Sequence, residues 1–409
     1  MEKMELFMTN LFNDVIKSIK SPRGEASLIL KAFSKIEYGE ITIKTPDKVI
    51  HKYTGKMPGP SVELDILEWS VFPEILGKSD IGLAETYMES HWNASSIENL
   101  IELSILNESA LIDVFKGNWA KILFYRLKHE ARENTKSGSK QNIVAHYDLG
   151  NPFYSLWLDR TMTYSSALFL NEEETLAEAQ ENKYQSMLDL IGAKPGDHIL
   201  EVGCGWGGFM EYAAKKGFKV TGITISNEQF SYATERMKKH KLEENCEVRL
   251  CDYRDLTGTY DHAVSIEMIE AVGEKYWNSY FKLFKKVLKP GGKFAVQAIV
   301  IQDEKFESYR KGTDFIQQYI FPGGMLLSPK VIDAHLQKAG FNKERSIAFG
   351  KDYARTLNHW REMFNNRSED VRALGFDEKF MKLWNFYLSY CEGAFLAGRI
   401  DVLQFSASV

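Results

Sequence analysis

Residues 198–209, HILEVGCGWGGF, place a short apolar run directly before glycines at 203, 205, 207 and 208. Glycine weakens strands and helix interiors, so this cluster marks backbone that must turn tightly or approach a ligand. The apolar run reads as a strand, and a helix follows the glycines. In an open α/β sheet, ligands bind at such strand ends. The spacing Gly203-x-Gly205-x-Gly207 is not the G-x-G-x-x-G of a dinucleotide site, and no Gly-Lys-Ser/Thr follows as in a phosphate loop. Glu201 stands two residues before the first glycine. An acid there suits a ligand with a cationic amino-acid end rather than a phosphate, and S-adenosylmethionine is such a ligand.

Outward from this turn, apolar runs at 198–203, 219–224, 246–251, 262–267, 293–300, 344–350 and 401–407 read as strands. Helix-length segments separate the first five. This is the rhythm of a doubly wound, mostly parallel sheet of seven strands, the Rossmann-like class I methyltransferase arrangement in the α/β class. A long insertion at 301–330 follows the fifth strand, where it is expected to cover the site. At the second strand end, Thr224 and Gln229 are candidates for ribose hydroxyls, with Glu228 as a competing acid. After the third, Asp252 and Tyr253 are candidates to meet the adenine by hydrogen bond and ring contact.

The expected division is an N-terminal α+β domain at 1–128, a polar linker at 129–142 and a catalytic domain at 143–409. The stretch EYGEITIKTPDKVIHKYTG (37–55) alternates apolar and polar residues around a turn at Pro46-Asp47, and IGLAETYMESHW (81–92) and SIENLIELSILN (96–107) follow as helices. Leu11, Phe12, Val15, Ile16 and Ile19 form an amphipathic pattern. It suits a helix packed on its own domain, or one lying on a membrane surface.

The chain has 409 residues, 44% hydrophobic and 26% charged, which is ordinary globular composition. Its formal net charge of −5 argues against a nucleic-acid binder. The four cysteines fit neither a zinc pattern nor a disulfide framework, so no metal site is expected and the thiols read as reduced and cytoplasmic. The N-terminal stretch does not read as a signal peptide, and no apolar run is long enough to span a bilayer.

Several motifs together carry a resemblance. AHYDLGNPFYSLWLDRTMTYSSALF (145–169), EVGCGWGG (201–208), GITISNEQ (222–229), DYRD (252–255), EMIEAVG (267–273), YIFPGG (319–324), DYARTLNHW (352–360) and YLSYCEGAFLAGRIDVLQF (387–405) are similar to the cyclopropane fatty acid synthase family, which includes the mycolic acid cyclopropane synthases. The resemblance implies transfer of a methyl group from S-adenosylmethionine to the cis double bond of a phospholipid acyl chain. The resulting carbocation then loses a proton and closes a cyclopropane. It further implies phospholipid at a membrane surface as partner, a cytoplasmic and peripheral location, and allows a homodimer.

The base it implies is a bound bicarbonate, held by a Glu, a His, a Tyr and backbone groups. These positions fall on Glu270, Tyr353, the backbone near Ile299, and two departures: Ser166 where the family has Cys, and Gln297 where it has His. An amide cannot relay a proton as imidazole does. The departure therefore leaves open a methyl- or methylene-branched product of the same cation, and a small-molecule C- or N-methyltransferase as a further alternative. His146, Tyr164 and Ser165 match residues that close over the cofactor.

Overall fold

A computed structural model describes residues 22–115 and 149–408. The amphipathic stretch at 11–19, the linker at 129–142 and His146 lie outside the described residues.

The first compact unit contains residues 22–115 together with Asp377–Ala397. Its sheet joins β1 (Tyr38–Lys44), β2 (Ile50–Thr54), β3 (Met57–Ile66) and β4 (Trp92–Ala94) in the order β2-β1-β3-β4. β1 and β2 form the hairpin that the alternation predicts. Its turn closes with Thr45 N–H on the Val49 carbonyl at 2.9 Å, and Lys48 takes a left-handed φ of 65°. The helix Ile97–Leu106 begins at Ser96, whose hydroxyl accepts the Asn99 N–H. Such a cap satisfies a backbone donor that the first helical turn leaves open.

The helix Glu378–Leu396 packs on Ile97–Leu106 within this unit. The expected catalytic domain at 143–409 is therefore interrupted, since residues 377–397 group with the N-terminal half. Chain order could not show this, because the helix's apolar face fits any partner of matching shape. Gly393 sets the spacing: a Cβ there would lie 2.5 Å from the Glu98 carbonyl oxygen and 2.8 Å from Ile101 Cβ. Backbone cannot swing aside, so Gly393→Ala is expected to cost about 1–3 kcal/mol, the usual range for overpacking. Thermal unfolding should fall by several degrees while cofactor affinity, which belongs to the other unit, stays unchanged.

The second unit holds all seven expected strands: β5 (His198–Val202), β6 (Lys219–Thr224), β7 (Cys246–Leu250), β8 (Tyr260–Ile266), β9 (Leu288–Ile301), β10 (Asn342–Ala348) and β11 (Ile400–Ser408). Their order is β10-β11-β9-β8-β5-β6-β7. β5 to β9 pair in parallel, while β11 runs antiparallel to both β9 and β10. From β5 the chain moves outward through β6 to β7, then returns to place β8 on the other side of β5. The switch point thus lies at the carboxyl ends of β5 and β8, where open α/β sheets place their ligands. The glycine turn leaves β5 there, and the EMIE segment leaves β8. Among the described residues, no helix is long and apolar enough to cross a membrane.

Candidate active site

The turn after β5 is held open by backbone conformation. Gly203, Gly205 and Gly207 have φ of 86°, 52° and 80°, and the helix Gly208–Lys215 starts directly behind them. No heavy atom lies within 4 Å of a Cβ built on Gly205. Glu201, inside the sheet and 3% exposed, has one carboxyl oxygen, Oε2, buried without a hydrogen-bond partner. Burial pushes its pKa well above the ordinary value, against the pull of Lys183 and Arg236. A buried acid with an unmet oxygen is costly, and a cationic amino group would satisfy it.

Thr224 donates to Gln229 Oε1 at 2.8 Å, which leaves the Gln229 amide N–H groups to face a ligand. Gln229 sits in the first turn of Asn227–Lys239, whose cap is Ser226. Asp252 is held within its own turn. Arg254 engages both its oxygens, with Nε at 2.8 Å and Nη2 at 2.6 Å, and its backbone N–H adds a further bond to Oδ1. An acid two residues before an arginine in a tight turn is thus paired within its own turn. Tyr253 is 7% exposed, packed against Tyr280 and beneath the Arg254 guanidinium.

The catalytic candidates gather at the β8 end. Glu270 Oε1 accepts the Ile299 N–H at 2.5 Å, and its Oε2 is buried without a partner. The Met325 N–H bonds the Glu270 carbonyl at 2.8 Å, so the 301–330 insertion closes on this segment. Burial, then the charge of Glu267, raises the Glu270 pKa to about 8. At neutral pH Glu270 is therefore a neutral acid that can donate from Oε2.

The other three candidates converge elsewhere. Ser166 N–H (2.8 Å), Gln297 Nε2 (2.7 Å) and Tyr353 O–H (2.9 Å) all donate to the carboxylate of Glu267. Gln297 lies opposite Gln404 across the β9–β11 pair, and Gln404 Nε2 donates to its Oε1 at 2.8 Å. Gln297 Nε2 also reaches the Ser166 carbonyl at 3.3 Å. A carbonyl can only accept, so the amide's N–H end must face Glu267. Thr356 ties the two remaining donors together, accepting the Ala167 N–H from the same helix that carries Tyr353.

Two members of this site escape sequence reasoning. Glu267 was hidden by the match of EMIEAVG at Glu270; the E-x-x-E spacing was its one visible sign. Lys183 stands among polar neighbours in QENKYQS, which give no sign of burial, yet it is fully buried. Its Nζ donates to Ser165 Oγ at 2.7 Å and lies 4.7 Å from the centre of the Tyr184 ring. Burial pulls its pKa down to about 7, opposed by Glu267, Asp159 and Glu201. Tyr164, beside Ser165, joins a wall of rings, with Trp360 at 5.3 Å and Tyr154 at 5.5 Å, and Tyr353 meets Trp360 at 6.0 Å.

The residues fit S-adenosylmethionine: Glu201 for its amino end, open space over Gly205 for close approach, and Gln229 for its ribose. They do not fit bicarbonate. Of the groups expected to hold that ion, Ser166, Gln297 and Tyr353 are spent on Glu267, and the Ile299 N–H is spent on Glu270.

The family model for mycolic acid cyclopropane synthetase matches residues 134–405. Tuberculostearic acid methyltransferase UfaA1 of Mycobacterium tuberculosis is 36% identical over 334 residues, covering 80% of this chain and 78% of its own. The cyclopropane-fatty-acyl-phospholipid synthase of Escherichia coli is 34% identical over 343 residues, covering 81% and 84%. The crystal structure of the mycolic acid cyclopropane synthase CmaA1 complexed with SAH and CTAB aligns with a TM-score of 0.62 at 31% identity, covering 66% of this chain and 97% of that one. With a glycine turn and an unmet acid at one strand end and a carboxylate pair at the next, the chain belongs to the mycolic acid cyclopropane synthetase family of S-adenosylmethionine-dependent methyltransferases, which act on lipid acyl chains.

Proposed function

We propose that this enzyme methylates the cis double bond of an unsaturated acyl chain in a phospholipid and closes the product to a cyclopropane, working from the cytoplasmic face of a membrane. The observation that carries this reading is a carboxylate fixed by three donors beside a wall of aromatic rings. S-adenosylmethionine, when bound, supplies an electrophilic methyl group.

An alkene is a weak nucleophile, so the chain's own residues must align it and keep water out. The rings of Tyr164, Tyr353 and Trp360 suit both tasks. Their faces also stabilise a carbon cation without capturing it. Proton loss then ends the reaction, and a base held at one point takes the proton from whichever carbon is brought to it. Ser166, whose N–H holds Glu267, adjoins the cofactor candidates Tyr164 and Ser165. That adjacency favours loss from the transferred carbon and hence ring closure.

The test is expression in a host that makes cis-unsaturated phospholipids and lacks its own synthase, followed by gas chromatography and mass spectrometry of the acyl chains. The expected result is gain of one CH2 unit as a ring. A second reading is favoured by the similarity to a tuberculostearic acid methyltransferase: gain of one CH2 unit with a double bond retained, as a methylene branch. Unchanged acyl chains in cells containing folded, cofactor-binding enzyme would overturn both.

A further inference from the structure

We infer that the Glu267 carboxylate fills the seat that the resemblance assigns to bicarbonate, and that Glu267 is itself the base of the reaction. The inference rests on the acyl-chain reading above. A carboxylate and bicarbonate present the same planar pair of oxygens. Here the backbone at 166, the side chain at 297 and the phenol at 353 meet that pair at 2.7–2.9 Å. All three are donors, so they favour the ionised form.

The backbone shows the same purpose. Glu267 directly follows β8 in a left-handed conformation, φ 47°. For a residue with a Cβ this costs about 1–2 kcal/mol, and such strain gathers where function demands it. The exchange of His for Gln at 297 has a reason in this frame. A mobile ion gains from an imidazole that can donate or accept, whereas a tethered carboxylate needs only a donor of fixed direction. Gln404 Nε2, which donates to Gln297 Oε1 at 2.8 Å, fixes that direction, and is itself oriented by the Ser186 hydroxyl donating to Gln404 Oε1 at 2.6 Å. Burial raises the Glu267 pKa, while Gln297, Lys183, Ser166 and Tyr353 pull it back. Glu270 stays a neutral acid next to it.

In the step itself, the alkene has taken the methyl group and S-adenosylhomocysteine has left, so one chain carbon is cationic. Glu267 accepts a proton from the transferred carbon. The released C–H electron pair forms the bond to the cationic carbon and closes the ring. Glu267, now a carboxylic acid, returns its proton to solvent, which balances the net release of one proton per turnover.

The experiment has an activity arm and a binding arm, both on the full chain. In carbonate-free buffer under argon, with vesicles of dioleoyl phosphatidylglycerol, the unaltered enzyme should turn over as fast as with added bicarbonate. Glu267→Gln should lose about 10²–10⁴-fold, the usual worth of a general base, with S-adenosylhomocysteine affinity kept. Glu267→Ala vacates the seat, and added formate or bicarbonate should restore part of its turnover, which a merely structural role would not allow. In the binding arm, ¹³C-bicarbonate titrated in the presence of S-adenosylhomocysteine should bind Glu267→Ala and not the unaltered enzyme. Bicarbonate dependence of the unaltered enzyme, saturable ion binding to it, or full turnover by Glu267→Gln would each overturn the inference. Inactivity of the unaltered enzyme on these vesicles would count against the acyl-chain reading, and the binding arm would still decide who occupies the seat.

Discussion

Gly205→Ala is expected to weaken S-adenosylhomocysteine binding by about a hundredfold, roughly 2.7 kcal/mol, and to leave the enzyme folded. Gly205 has φ 52°, and a Cβ there meets no protein atom within 4 Å. The added methyl therefore clashes with nothing in the protein. It costs the left-handed penalty of about 1–2 kcal/mol and intrudes where the cofactor must approach the backbone. Gly196→Ala is the control. It also has positive φ, 98°, and open space, but it precedes β5 at the sheet's amino end. Both variants should lose similar unfolding free energy, and Gly205→Ala alone should lose affinity in calorimetry. Equal affinities would mean that the space over Gly205 is not the cofactor's.

The sheet was legible because short apolar runs recur between helix-length segments, and the seven read as strands became seven strands. The position of the glycine turn followed from that reading, and that of Glu270 from the family resemblance of EMIEAVG. What stayed hidden was partnership. Nothing in the string says that Glu267, rather than an ion, meets Ser166, Gln297 and Tyr353; those residues lie 101, 30 and 86 positions from it. The pairing of Asp252 with Arg254 stayed unread because a reading by strand ends ignores the arginine two residues on. The helix Glu378–Leu396 was misplaced because an amphipathic pattern identifies a buried face and not what buries it.

Substitution of Lys183 by Met is expected to shift the acidic limb of the pH–rate profile upward by about 1–2 units, within the range an opposite charge commands at short range. The direction follows from the charges. Lys183 is fully buried, and its ammonium holds down the pKa of Glu267. Without it, burial acts on Glu267 opposed only by hydrogen bonds, so the base stays protonated to higher pH. Below the shifted limb the rate falls about tenfold for each unit of displacement. The ammonium itself persists only up to about pH 7, so parent and variant should converge on the alkaline side. Methionine matches the length of the lysine stem and can occupy the same space under Tyr184, although Ser165 Oγ loses its donor. A loss of packing alone would lower the rate by one factor at every pH. A displaced limb that converges above neutrality would mark Lys183 as a positioning charge for Glu267, and parallel profiles would refute that role.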